Sequence, residues 1–216
     1  MLKKLAFAGA ALAPLLVGVQ AHAAPGNSDW FVRGGITLLE LDDELDLVAG
    51  GAPVAGAGMQ TGTHFTPTVQ VGRFIGDHFA VALTVGLPPH IEINGAGSIA
   101  QFGKLAETTY GPMTLTGQYR PISTGPVQPW IGAGAAYMIV FSTSDAAFND
   151  VEIDNDLAPV VEAGADIMVA PNWGLFVEAK RAWLKTESRG TFMGIPVTGE
   201  VGLGPWAVSA GVTLRF

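Results

Sequence analysis

The run Trp206-Ala207-Val208-Ser209-Ala210-Gly211-Val212-Thr213-Leu214-Arg215-Phe216 alternates without a break. Its even positions (Trp206, Val208, Ala210, Val212, Leu214, Phe216) are all apolar, and its odd positions are small or polar. A period of two marks a β-strand with unlike faces. Upstream, the same alternation recurs in Trp30–Leu39, Phe65–Gly72, Phe79–Leu87, Met113–Arg120, Pro159–Val169 and Leu175–Lys180. The segment Trp130–Phe141 is apolar at both sets of positions, and Ile131, Ala133, Ala135, Tyr137, Ile139 and Phe141 are read as its outer face. That makes eight strands of about ten residues, the length a tilted strand needs to cross hydrocarbon.

The connections alternate in length. Residues 73–78, 121–127 and 170–174 are short and turn-like, whereas those around 40–63, 88–108, 142–157 and 186–204 are long and hold most of the acids. Lipid offers no partner to a free sheet edge, so the sheet must close. The expected fold is all-β: an eight-stranded antiparallel transmembrane β-barrel with short periplasmic turns and long extracellular loops. Aromatics at strand ends (Trp30, Phe65, Phe79, Tyr119, Trp206, Phe216) suit interfacial girdles. A soluble lipocalin-like barrel also alternates, with its apolar faces inward. The Gly, Thr and Ala of the polar faces favour a narrow lumen over a solvated exterior.

Composition agrees. Of 216 residues, 49% are apolar and only 14% charged, against roughly 25% in soluble domains. The absence of cysteine excludes disulfide and thiolate-metal scaffolds. A net charge of −8 speaks against a nucleic-acid partner. At the N-terminus, Lys3 and Lys4 precede the uncharged stretch Leu5–Val19 and the small-residue pattern Ala21-His22-Ala23. This reads as a secretory signal over residues 1–23, cleaved after Ala23, with the barrel in 24–216. The apolar stretch, interrupted by Pro14, is too short to span a membrane as a helix.

Two stretches carry a resemblance. Gly111-Pro112-Met113-Thr114-Leu115-Thr116-Gly117-Gln118-Tyr119 resembles the Pro-Pro-Thr-Leu-x-x-x-Tyr strand of the OmpW family of outer-membrane proteins, whose relatives include AlkL-type importers of hydrophobic molecules. Pro129-Trp130-Ile131-Gly132-Ala133-Gly134-Ala135-Ala136-Tyr137 is similar to that family's Pro-Tyr-Val-Gly-Ala-Gly-x-x-Tyr segment. The turn Asn172-Trp173-Gly174-Leu175 and the final aromatic, Phe216, also fit. The resemblance implies a channel for small hydrophobic solutes with lateral release into the membrane. It also implies Phe216 as the signal read by the barrel assembly machinery, and links to stress responses. Lipid and lipopolysaccharide are the expected surroundings, and no cofactor is implied. A structural barrel that binds a host or envelope partner through its loops is the alternative.

An eight-stranded barrel has room for its own side chains or one small ligand. Inward positions place Arg33, Lys180 and Arg215 against Glu162, Asp166 and Glu178, mostly toward the periplasmic end. Such charges survive burial by pairing, so they read as a structural plug, with a proton relay as the other possibility. Above them, Thr37, Thr66, Thr84, Gly86, Met138 and Val160, with Leu39 near the rim, line a mildly apolar chamber. A catalytic His-Ser or His-Ser-acid group finds little support: His64 and His78 sit near strand ends and His90 in a loop, while His22 leaves with the signal. The acids of Glu40–Asp46 and Asp145–Asp156 read as solvated faces rather than a cation site. Strict alternation carries Arg181 onto the lipid face, which is costly. A β-bulge at Lys180-Arg181, turning Arg181 inward toward Glu178, is therefore expected.

Overall fold

The computed structural model describes residues 29–42, 44–153, 155–202 and 204–216, so the expected signal lies outside the described residues. The strands in chain order are β1 (Trp30–Leu41), β2 (Glu44–Ala49), β3 (Ala52–Pro53), β4 (Ala57–Gln60), β5 (Thr63–Ile75), β6 (Phe79–Gly86), β7 (His90–Gly97) and β8 (Lys104–Tyr119). They continue with β9 (Val127–Asp145), β10 (Asn149–Ile153), β11 (Asp156–Ala170), β12 (Trp173–Ala182), β13 (Lys185–Phe192), β14 (Ile195–Gly202) and β15 (Pro205–Arg215).

Eight of them form the wall, in the order β1-β5-β6-β8-β9-β11-β12-β15, every pair antiparallel. The pairing of β15 with β1, from Phe31↔Arg215 to Leu41↔Pro205, closes the sheet as expected. Alternation sets the faces. Val208, Ala210, Val212 and Leu214 lie on the outer surface, while Ser209 and Thr213 are buried in the lumen. On β9, Ile131 and Phe141 point outward and Trp130, Ala136 and Met138 inward. Trp30, Phe79, Tyr119 and Phe216 stand exposed near one end of the barrel, and Phe65 and Trp206 near the other.

The long connections are more ordered than loops. Strands β10-β13-β14-β2-β3 form a second sheet above the barrel, and β4 pairs with β7, which pairs in turn with the outer part of β8. Their apolar faces (Leu47, Ile91, Leu105, Val197) join Met138 and Val160 of the lumen in one core. Period counting leaves these strands as loops.

Arg181 departs from the expectation. The ladder from β11 to β12 runs in register from Val160↔Ala182 to Ile167↔Leu175, with no bulge at Lys180-Arg181. Arg181 stays on the outer face and meets Asp42, just past β1, through Nη1–Oδ1 at 3.1 Å and Nη2–Oδ2 at 2.6 Å. It also donates to the Gly204 carbonyl at 3.0 Å and lies near the rings of Trp206 and Trp183. A Cβ at position 204 would sit 2.9 Å from Asp42 Oδ2, so glycine there leaves the carboxylate its place. A counter-charge just past β1, reached over β15, removes the need for a bulge.

Candidate functional site

The lower lumen is a floor of paired charges. Asp166 on β11 is its centre, 1% exposed, and three guanidinium groups converge on it. Arg33 of β1 makes a bidentate pair (Nε–Oδ1 and Nη2–Oδ2, both 2.9 Å), while Arg120 and Arg215 reach Oδ2 at 2.8 and 2.9 Å. Aromatic faces share the cationic load: Arg33 stacks 3.8 Å from the Trp130 centroid, and Arg120 and Arg215 each lie 5.2 Å from Phe74. Trp130 fits because Gly164 faces it, where a Cβ would come within 2.4 Å of the indole.

One layer higher, Lys180 bridges Glu162 and Glu178 at 2.7 and 2.6 Å. Gln118 and Thr116 donate to Glu162, and Gln70 ties the layers together by donating to Glu178 while accepting from Arg33. All six predicted charges therefore belong to the floor. The expected three-to-three balance is corrected by Arg120, whose place on the inward face was visible but whose position beside Pro121 made it look like a strand end. Four cations meet three carboxylates.

Above the floor, a cavity of about 60 Å³ is lined by Thr37, Leu39, Thr66, Thr84, Gly86 and Val160, among others. Met138, wholly buried, packs in the same apolar core. Of the six predicted chamber residues, Thr37, Leu39, Thr66, Thr84 and Val160 thus line the cavity, and Met138 packs in the core beside Val160 without lining it. A space of this size holds a few waters.

The wall beside this chamber is interrupted. The β6–β8 ladder runs from Phe79↔Tyr119 to Val85↔Met113, and pairing with β8 resumes only at His90↔Thr109 of β7. Between them, Gly86-Leu87-Pro88-Pro89 faces Tyr110-Gly111-Pro112. Three prolines there have no N–H to offer a ladder. Leu87 turns instead to the Pro67 carbonyl at 3.0 Å. Period counting reads the prolines as a loop start and does not show that the break falls opposite Pro112.

The remaining candidates lie elsewhere. Phe216 ends the closing strand pair and exchanges backbone bonds with Trp30 at 3.0 and 3.1 Å. His64 and His78 face backbone carbonyls of Thr61 and Arg120, and His90, at the start of β7, faces Glu107 and Thr109. No three metal-ligating side chains cluster among the described residues.

The OmpW family model matches residues 26–216. The dibenzothiophene metabolism operon protein PahQ of Pseudomonas aeruginosa is 32% identical over 190 residues, covering 87% of this chain and 83% of PahQ. The crystal structure of OprG from Pseudomonas aeruginosa superposes with a TM-score of 0.82 at 22% identity, covering 88% of this chain and 96% of OprG. The solid-state NMR structure of AlkL in lipid bilayers gives a TM-score of 0.73 at 27% identity, covering 90% and 92%. These likenesses, together with a closed barrel whose lipid-facing side chains are apolar, place the protein in the cell outer membrane. The chain belongs to the OmpW family of outer-membrane β-barrels.

Proposed function

We propose that the barrel passes small hydrophobic molecules from the outside into its upper chamber and releases them sideways into the membrane. The observation that carries this reading is the position of the proline-lined wall break, beside the chamber and above a floor of paired charges. A solute that enters from the apolar tower meets ionised groups below and an unzipped wall at its side, so the lateral route costs least. The dibenzothiophene named for PahQ's operon is itself an apolar molecule, which fits. The chain is exported by residues 1–23, cleaved after Ala23, and Phe216 presents the closing strand to the assembly machinery. Deleting Phe216 is expected to lower the amount of heat-modifiable barrel in the outer membrane while leaving export to the periplasm intact.

The direct test is uptake of an apolar probe by proteoliposomes with lipopolysaccharide in the outer leaflet, beside protein-free vesicles. Uptake should exceed the control and carry little ion current. Replacing Pro88 and Pro89 by Thr restores two N–H donors at the break and should slow uptake. Equal uptake by that variant, at equal folded protein, would count against lateral release. A barrel that gives no uptake above the control would favour an interaction role.

A further inference from the structure

The threonine and serine hydroxyls around the chamber are not equivalent. Thr37 bonds Thr68 and Ser209 at 2.7 and 2.8 Å, Thr66 donates to the Leu87 carbonyl at 2.6 Å, and Thr84 accepts from Gln70 at 3.0 Å. Thr114 lines the same cavity, yet its Oγ1 is buried with no partner among the described residues. The phenol oxygen of Tyr110, a residue 1% exposed, is also buried and unpartnered. Both belong to β8, one on each side of Pro112, the residue at which the wall ladder fails. A buried hydroxyl without a partner is a standing cost, removed when a guest supplies a hydrogen-bonding atom. One of these hydroxyls lines the chamber, and the other belongs to the apolar core that Ala136 and Val160 share with it, so together they point to the chemistry of what passes.

We propose that the chamber selects uncharged apolar molecules bearing a single hydrogen-bonding oxygen, such as alcohols, phenols and ketones, over bare hydrocarbons, with Thr114 and Tyr110 reading that oxygen. The selection rests on the channel reading above and adds its substrate class. A hydroxyl both donates and accepts, so a guest O–H and a guest carbonyl each find a partner. Ionised guests are disfavoured because the nearest cation, Lys180, is already held by Glu162 and Glu178.

The test compares saturable, protein-dependent uptake of 1-octanol and octane in the same proteoliposomes. Thr114→Val and Tyr110→Phe keep shape and remove only the oxygen. For each variant the octanol-to-octane ratio should fall roughly 2- to 10-fold, the worth of one hydrogen bond. An unaltered ratio in both variants overturns the selection while leaving the channel standing. So does an equal loss for both solutes. Failure of the parent on both solutes overturns the channel reading, and the selection with it.

Discussion

The lower and upper halves of the lumen solve the same problem, a narrow barrel that must be filled, by opposite means. In the lower half, ionised side chains from β1, β8, β11, β12 and β15 hold one another, and Asp166 alone serves three guanidinium groups. In the upper half, methyls and hydroxyls surround a small void, and the wall beside them has lost its ladder. A network in which each member needs the others cannot open a little. A chamber held by weak contacts can yield to a guest and close again. On the route proposed above, the floor would set where a solute stops and the chamber how it leaves.

That contrast can be broken at either end. The largest effect is expected from Asp166→Asn, which keeps shape but strands three buried cations, at a cost of about 3–5 kcal/mol. Urea unfolding in lipid vesicles should show the loss; a variant as stable as the parent would mean that the aromatic faces alone carry the charge. Next comes Val160→Asp, which sets a new carboxylate into the chamber lining. Uptake of an apolar probe should drop severalfold at equal folded protein, and unchanged uptake would move the route elsewhere. The smallest is Asp42→Asn on the outer surface, which leaves Arg181 without its counter-charge near the interface, worth about 0.5–1 kcal/mol in the same unfolding assay. A cost comparable to that of Asp166→Asn would place the pair deeper in the hydrocarbon than its neighbours Trp206 and Trp183 indicate.

Much of this was legible before any coordinates. Alternation is a local property, so it identifies the lumen-facing residues Arg33, Thr37, Thr66, Glu162 and Asp166 strand by strand. What depends on distant neighbours is not readable that way. The partner of Arg181 lies 139 residues away, just past β1, which the closing strand β15 brings within reach of β12. Arg120 looks like a strand end until the floor brings Asp166 beneath it. The wall break needs the register of β6 and β7 against β8, which a period of two cannot supply. The second sheet escapes for another reason: β13 buries Thr186 and half-buries Ser188 and Gly190, so no apolar face marks its period.

The ion pair of Arg181 and Asp42 reaches beyond its own strands. On β12 the apolar outer surface runs from Trp173 to Ala179 before the charge begins, whereas on β9 it runs from Ile131 to Phe141. A belt whose apolar depth differs between two strands separated only by β11 meets a bilayer of even thickness with a local mismatch, which lipid or barrel must absorb. The proline-lined break flanks β8, the neighbour of β9 on the deep side of the belt. On the lateral route proposed above, the depth at which a solute first meets lipid tails would then depend in part on two charged residues that never touch it.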